Sequence, residues 1–234
     1  MGVVVPAHDE QALIVDCLEA LRRAALHPAL SGTQVITVVV ADACSDGTAE
    51  RAALAVGTEV LEVSHGNVGR ARASGLSHVL GLAAGLHPEA LWLASTDADT
   101  LVDPDWLARQ LAWRRRGAEA VAGMVRVDDW HEQPRGVRPA FEARQRLLRS
   151  RRGHGHVHGA NLGLSAAAYL GGGGFPGLPL AEDHALWDAI TAAGHVVVAA
   201  TDVAVTTSAR REGRAPGGFS QLLRSLDRAG EHDR

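Results

Sequence analysis

The sequence contains no lysine. All of its basic residues are arginine, and Ala and Gly are abundant, which reads as coding bias before it reads as chemistry. Nor is there an excess of positive charge: acidic residues outnumber basic ones 27 to 23, for a formal charge of −4. The footprint of a general nucleic-acid binder is therefore missing, no nucleic-acid partner is expected, and any basic patch must be local. Only two cysteines occur, Cys17 on the apolar face of an expected helix and Cys44 in a loop. Such a pair excludes a disulfide framework and a zinc knuckle and fits a reducing cytosol. No apolar run approaches the roughly 18 residues of a membrane span, and Met1 leads almost at once into VVVP without a basic region. A soluble, cytoplasmic protein is expected, with peripheral membrane contact left open. No linker, repeat or long low-complexity run divides the chain, and GGGG at Gly171–Gly174 reads as a mobile loop.

What is present is an ordinary globular composition of 46% apolar and 21% charged residues over 234 positions, enough for one sizeable core. Short apolar runs alternate with segments of helical period. Strands are expected at Val3–Val5, Val35–Ala41, Glu59–Val63 and Ala90–Ala94. Helices are expected over Glu10–Ala25, where Leu13, Cys17, Leu18 and Leu21 share a face, from about Thr48, and over Val68–Ala84. This rhythm predicts an α/β fold with a mostly parallel sheet and helices on both faces, because parallel crossovers need a dozen residues and continuous apolar strands need cover on two sides. Ligands then bind beyond the carboxyl ends of the strands. That rule gathers PAHDE, ADACSDGT and STDADT at one edge. From about Gly117 the rhythm loosens: a strand at Ala120–Val125, an Arg-rich helix near Pro139–Arg152, a Gly- and His-rich loop, a helix near Glu182–Ala193, and strand pieces at VVVAA and VAVT. The single domain is read as a first half over 1–116, a second over 117–214 and a tail over 215–234.

The stretch LWLASTDADTLVDPDWL sets Asp97, Asp99, Asp103 and Asp105 within nine positions at the end of an apolar strand. Asp103-Pro104-Asp105 reads as a helix start, with Asp103 at N-cap and Pro104 at N1. Asp97 and Asp99 have no such explanation, since two unpaired carboxylates there would repel and raise each other's pKa. A divalent cation, Mn²⁺ or Mg²⁺, resolves the conflict and suits a metal-diphosphate. An EF-hand is excluded because Val102 stands where its loop requires glycine.

Five motifs in order resemble the family 2 glycosyltransferases of the GT-A fold, from Val3 to about Arg214. These are VVVPAHDE, with Asp9 in place of the common Asn; VVVADACSDGT, with Ala41 in place of the first Asp; GNVGRARASG; STDADT; and GANLGLSAAAYLGGGGF followed by LAEDHAL. The resemblance implies a nucleotide-diphospho-sugar donor, an acceptor hydroxyl and a divalent metal. It implies that Pro6, Ala7, Glu10 and Asp42 form the nucleotide floor, that Arg72 faces the nucleotide, that Asp97 and Ala98 border the donor, and that Asp99 binds the metal. On the acceptor side it implies His158, Gly159, Asn161 and Glu182, with Asp183 as the base and inversion as the usual course.

Where many members carry a terminal metal-ligating histidine, this sequence has Thr206, Thr207 and Ser208. His184 is one alternative ligand, and waters with phosphate oxygens are another. TSARREGR resembles a subset of smaller members, which implies Arg210, Arg211 or Arg214 as a clamp on the diphosphate. Asp46-Gly47 is a strong turn dipeptide, and HGHVHG, His154–His158, reads as a loop beside the acceptor before it reads as a zinc site. FEARQRLLRSRR carries a basic stripe that reads first as a solvated helix face. Two rival functions remain: a catalytically silent nucleotide-binding scaffold of the same fold, and a sugar nucleotidyltransferase, whose glycine-rich opening is replaced here by PAHDE. A dehydrogenase is weaker, because no G-x-G-x-x-G follows the first strand.

Overall fold

The computed structural model describes residues 1–127, 129–149, 157–210 and 219–232. Strand β1 (Gly2–Ala7) is buried at every position, as a run of β-branched residues between two neighbours demands. It pairs in parallel with β2 (Ile36–Asp42) and β4 (Trp92–Ser95), and β2 pairs in parallel with β3 (Thr58–Val63). Beyond β4 lie β5 (Thr100–Val102), β6 (Ala120–Arg126), β7 (Leu162–Ser165) and β8 (Val197–Thr207). Together they make one eight-stranded sheet of order β3-β2-β1-β4-β7-β6-β8-β5. Strand β7 runs antiparallel to both β4 and β6, β8 is parallel to β6, and β5 closes the edge antiparallel to β8.

The sheet is covered on both faces, and the period-2 alternation of the strands assigns each side chain. Val3, Val5, Val39, Trp92, Ala94, Val121 and Val125 face one core, shared with helices α1 (Ile14–Ala25) and α4 (Trp106–Arg115). Val4, Val38, Val40, Leu93, Ala120 and Ala122 face the other, shared with α3 (Val68–Leu82), α6 (Ala166–Gly171) and α7 (Glu182–Ala192). A short helix, α2 (Thr48–Ala53), follows the second strand. Helix α3 lies tightly on the sheet at Gly75, where a Cβ would sit 2.5 Å from a Val4 methyl and 2.8 Å from one of Val40. The last glycine of the GNVGRARASG motif is thus a packing requirement.

A small third cluster joins α5 (Val137–Arg149) to α8 (Phe219–His232) through Val137, Phe141, Leu223 and Ala209. Trp130 packs on Phe141 at 5.4 Å between centroids, and Phe141 meets Phe219 edge-on at 5.7 Å.

Several expectations need correction. No helix was expected in the tail, yet α8 forms there. Strands β5 and β7 were not expected; they have only three and four residues and are defined by partners distant in sequence. The pieces at VVVAA and VAVT are one strand, which accommodates an irregular register against β6 between Ala122 and Met124. Helix α4 takes Asp105, not Asp103, as its N-cap residue, without a side-chain cap. Asp103 instead meets Arg126 at 3.2 Å, and Asp105 pairs with Arg109 one turn on at 2.6 Å. Among the described residues no helix is long and apolar enough to cross a membrane.

Candidate active site

Because β1, β2 and β4 are parallel, their carboxyl ends Ala7, Asp42 and Ser95 reach the same edge, and the three polar loops interlock there. Asp9, at φ +52, turns its carboxylate onto the next loop, accepting from the Ser45 N–H at 2.7 Å and the Asp46 N–H at 3.3 Å. These bonds hold the Asp9 carboxyl below its usual range. The Glu10 N–H donates to Thr48 Oγ1 at 2.8 Å. His8 Nδ1 lies 2.7 Å from the Asp42 carbonyl oxygen. Pro6 and Ala7 end β1 opposite Val40 and Ala41, with Ala7 only 4% exposed.

Asp42 is buried, and its carboxylate accepts three backbone N–H groups, from His65 (2.6 Å), Gly66 (2.9 Å) and Asn67 (2.9 Å). It thereby fixes the turn that launches α3. Asp46 behaves as its dipeptide predicts, accepting from Thr48 and from the Gln11 N–H at 3.1 Å. Asp9, Cys44 and Asp46 bring ligand atoms within 4.8 Å of one another, but those carboxylates already serve the turn.

Arg72 departs from expectation. It is 3% exposed and bridges three groups beneath the site. Its Nη2 donates to Asp97 Oδ1 at 2.6 Å, its Nη1 donates to Glu182 Oε1, and its Nε donates to Ser95 Oγ at 3.2 Å. The Phe175 ring lies 5.6 Å away. Gly159 covers the guanidinium so closely that a Cβ there would sit 2.4 to 2.6 Å from its atoms. Glu182, expected to orient an acceptor, is likewise engaged below the surface. Burial raises its carboxyl, Arg72 opposes that rise and Asp183 adds to it. Asp183 is partly exposed at the start of α7; its Oδ2 accepts from the Gly159 N–H and its Oδ1 from the His184 N–H, each at 2.8 Å.

Asn161 also needs correction. It is fully buried, and its amide donates to the carbonyls of Met124 (2.8 Å) and Val203 (3.2 Å) while its oxygen accepts from Trp106 Nε1 (2.8 Å). It pins β6, β8 and α4 together and has no donor left for an acceptor. Ala98 is 2% exposed and packs into the core, so only its backbone can border a donor. His158 precedes the Gly159–Asn161 turn, with its ring 6.3 Å from Phe219. His154, Arg211 and Arg214 lie outside the described residues.

Asp99 is almost buried, with its carboxyl beside Thr100 Oγ1 (3.3 Å) and Thr207 Oγ1 (3.4 Å). Burial pushes its pKa up to about 6; Arg210 works against the shift, and Asp97 and Glu10 add to it. Arg210 Nη2 stands 2.9 Å from Asp99 Oδ2, and the same guanidinium forks onto Glu10, Nη2 to Oε1 at 2.5 Å and Nη1 to Oε2 at 2.9 Å. The Arg210–Glu10 fork is a contact that sequence reading missed, because its partners are 200 positions apart. A cleft of about 190 Å³ between Leu13, Asp16, Leu101 and Thr206 opens onto Asp99. His184 is exposed and is bonded through its N–H to Asp183.

The donor set suits a hard divalent cation. Glu10, Asp97, Asp99, Glu182 and Asp183 face the two guanidinium groups of Arg72 and Arg210. The excess is carboxylate, oxygen-rich and partly dehydrated.

An open sheet with this order, carrying an Asp-x-Asp at its switch between parallel and antiparallel strands, defines the class: a GT-A α/β domain. The model for glycosyl transferase family 2 matches residues 2–169, and the chain belongs to that family. No curated protein gives a sequence match. Among solved structures, the mannosyltransferase PcManGT from Pyrobaculum calidifontis, in complex with GDP-Man and Mn²⁺, is 21% identical. Its TM-score is 0.64, over 96% of this chain and 68% of that one. TarS of S. aureus is 16% identical with a TM-score of 0.63, over 90% of this chain and 37% of that one. Its 1–349 portion in complex with UDP gives 0.61 at 16% identity, over 90% of this chain and 60% of that one. The chain thus spans less than two thirds of the TarS structures, 37% and 60% of them. Glucosyl-3-phosphoglycerate synthase from Mycobacterium tuberculosis, solved with Mn²⁺, UDP and glucosyl-3-phosphoglycerate, is 17% identical, with a TM-score of 0.54 over 97% and 75% of the two chains.

Proposed function

We propose that the chain is a metal-dependent glycosyltransferase that moves a sugar from a nucleotide diphosphate to an acceptor hydroxyl with inversion. Residues 1–116 would hold the donor and 117–214 the acceptor. The observation that carries this reading is the Arg72 bridge: one buried guanidinium ties Asp97 to Glu182. The Asp-x-Asp of the donor side and the Glu-Asp pair of the second half are thereby set at a fixed separation, as transfer between two bound molecules requires.

Asp183 takes the proton of the acceptor hydroxyl. The Gly159 and His184 N–H groups leave each of its oxygens a free lone pair and fix the direction in which it points. The acceptor oxygen forms a bond to the anomeric carbon as the bond from that carbon to the diphosphate oxygen breaks, and the proton stays on Asp183. Asp99, with Asp97, would hold the Mn²⁺ or Mg²⁺, which when bound supplies positive charge to the departing diphosphate. Arg210, beside Asp99, would bind the same phosphates, and the Asp42 turn with Pro6 and Ala7 would form the floor for the base.

Asp183→Asn tests the assignment. It keeps the amide contacts in part and removes the base, so nucleotide-sugar affinity stays within about threefold of the parent while transfer falls by at least about 10²-fold. Full transfer by this variant would reject Asp183 as the base, and loss of donor binding would place it on the wrong side of the sugar.

A further inference from the structure

We propose that the Arg210 guanidinium is the resident counter-ion of this site and competes with the divalent cation for Asp99, so that metal and nucleoside diphosphate bind in concert. The inference rests on the nucleotide-sugar reading above and adds an order of events to it. Arg210 Nη2 lies between Glu10 Oε1 at 2.5 Å and Asp99 Oδ2 at 2.9 Å, while Nη1 holds Glu10 Oε2 at 2.9 Å. One positive charge thus serves two carboxylates that are both nearly removed from water. A cation that takes Asp99 Oδ2 meets that fixed charge at contact distance, where like charges repel strongly because the site is partly dehydrated.

A diphosphate changes the balance. It offers the guanidinium a multiply charged partner whose paired oxygens match the guanidinium fork, and can draw it from Asp99. The freed carboxylate then receives the cation without a neighbouring positive charge. The backbone at Arg210 is held while this happens. Its N–H donates to Ser208 Oγ at 3.2 Å, the preceding Ala209 is buried against α5 and α8, and the Ala209 carbonyl accepts from Gln133 Nε2 at 2.5 Å. Only the side chain has to move. The segment that ends β8 offers hydroxyl groups, Thr206, Thr207 and Ser208, and then this guanidinium. By linkage, whatever factor the nucleotide adds to metal affinity, the metal adds to nucleotide affinity.

The test is a calorimetric titration of Mn²⁺ into the intact chain, alone and with saturating UDP or GDP, for the parent, Arg210→Gln and Arg210→Lys. Arg210→Gln is expected to bind Mn²⁺ alone at least about tenfold more tightly than the parent, and the nucleotide's enhancement of Mn²⁺ affinity is expected to shrink by a similar factor. Arg210→Lys, which keeps the charge, should stay within about threefold of the parent. Arg210→Met, which keeps the apolar stem, repeats the test should Gln perturb folding. Unchanged or weaker Mn²⁺ binding by Arg210→Gln, with nucleotide still promoting binding in the parent, overturns the competition and leaves the glycosyltransferase reading intact. Failure of every form to bind Mn²⁺ under both conditions overturns both.

Discussion

Removing the Arg72 guanidinium leaves the Glu182 carboxylate, 8% exposed, without its cation, and frees Asp97 from the position it holds. Breaking a buried pair in this way costs about 3–5 kcal/mol. Arg72→Ala should therefore lower the melting temperature steeply, and Arg72→Lys should restore only part of the loss because one ammonium does not span Asp97, Glu182 and Ser95. A surface arginine would show neither effect. Asp99 carries the opposite sign. Its carboxyl is raised from 3.8 to about 6, chiefly by burial, so the folded state binds this proton more tightly than the unfolded one. The penalty it imposes on the folded state therefore grows as pH rises through the interval from 3.8 to about 6 and amounts to about 3 kcal/mol above it. Asp99→Asn should accordingly raise the melting temperature by a few degrees at pH 7.5 and lose that gain near pH 4. A destabilised variant at pH 7.5 would mean that the Arg210 contact outweighs the burial. Residue identity was readable here and residue direction was not. The motif positions of Arg72 and Asn161 stood out in the sequence, yet their partners lie 23 to 110 positions away and are met only in the folded sheet.

At the scale of elements, β1, β2, β4 and β6 were legible because β-branched and apolar residues run without interruption where a strand is covered on both faces. Strands β5 and β7 carry too few residues for a period to register, and each exists through pairing, β7 between β4 and β6 and β5 against the far end of β8. Helix α8 was legible and was overlooked: Phe219, Leu223 and Leu226 recur at helical spacing, and only the target of that face, α5 and Ala209, is not announced locally. Because this cluster is small and meets the first sheet core at its edge through Phe219, it should open before the sheet does. Leu223 is fully buried within it, and Leu223→Ala should cost the cluster about 2–5 kcal/mol. Hydrogen exchange should then accelerate in α5 and α8 while the amides of β1 and β4 keep their protection. Uniform acceleration across the sheet would show that the cluster is continuous with the main core.

For the whole molecule, the parallel half of the sheet gathers three loops at one edge, and the antiparallel half brings the Glu-Asp pair and Arg210 to the same edge from the other side. The gathering was readable from strand direction alone. The division of labour among the carboxylates was not, because Asp42, Asp97 and Glu182 differ in burial and partners and not in type. The central claim is that this edge binds a nucleotide diphosphate through a divalent cation at Asp99. Thermal stabilisation by a panel of UDP-, GDP- and dTDP-sugars, with and without Mn²⁺, tests it most directly, since a ligand bound only by the folded state raises its melting point. The account predicts that at least one donor stabilises the chain in the presence of Mn²⁺, that chelation removes the shift, and that Asp99→Ala abolishes it. A panel without any shift, or a shift equally large in Asp99→Ala, would contradict it.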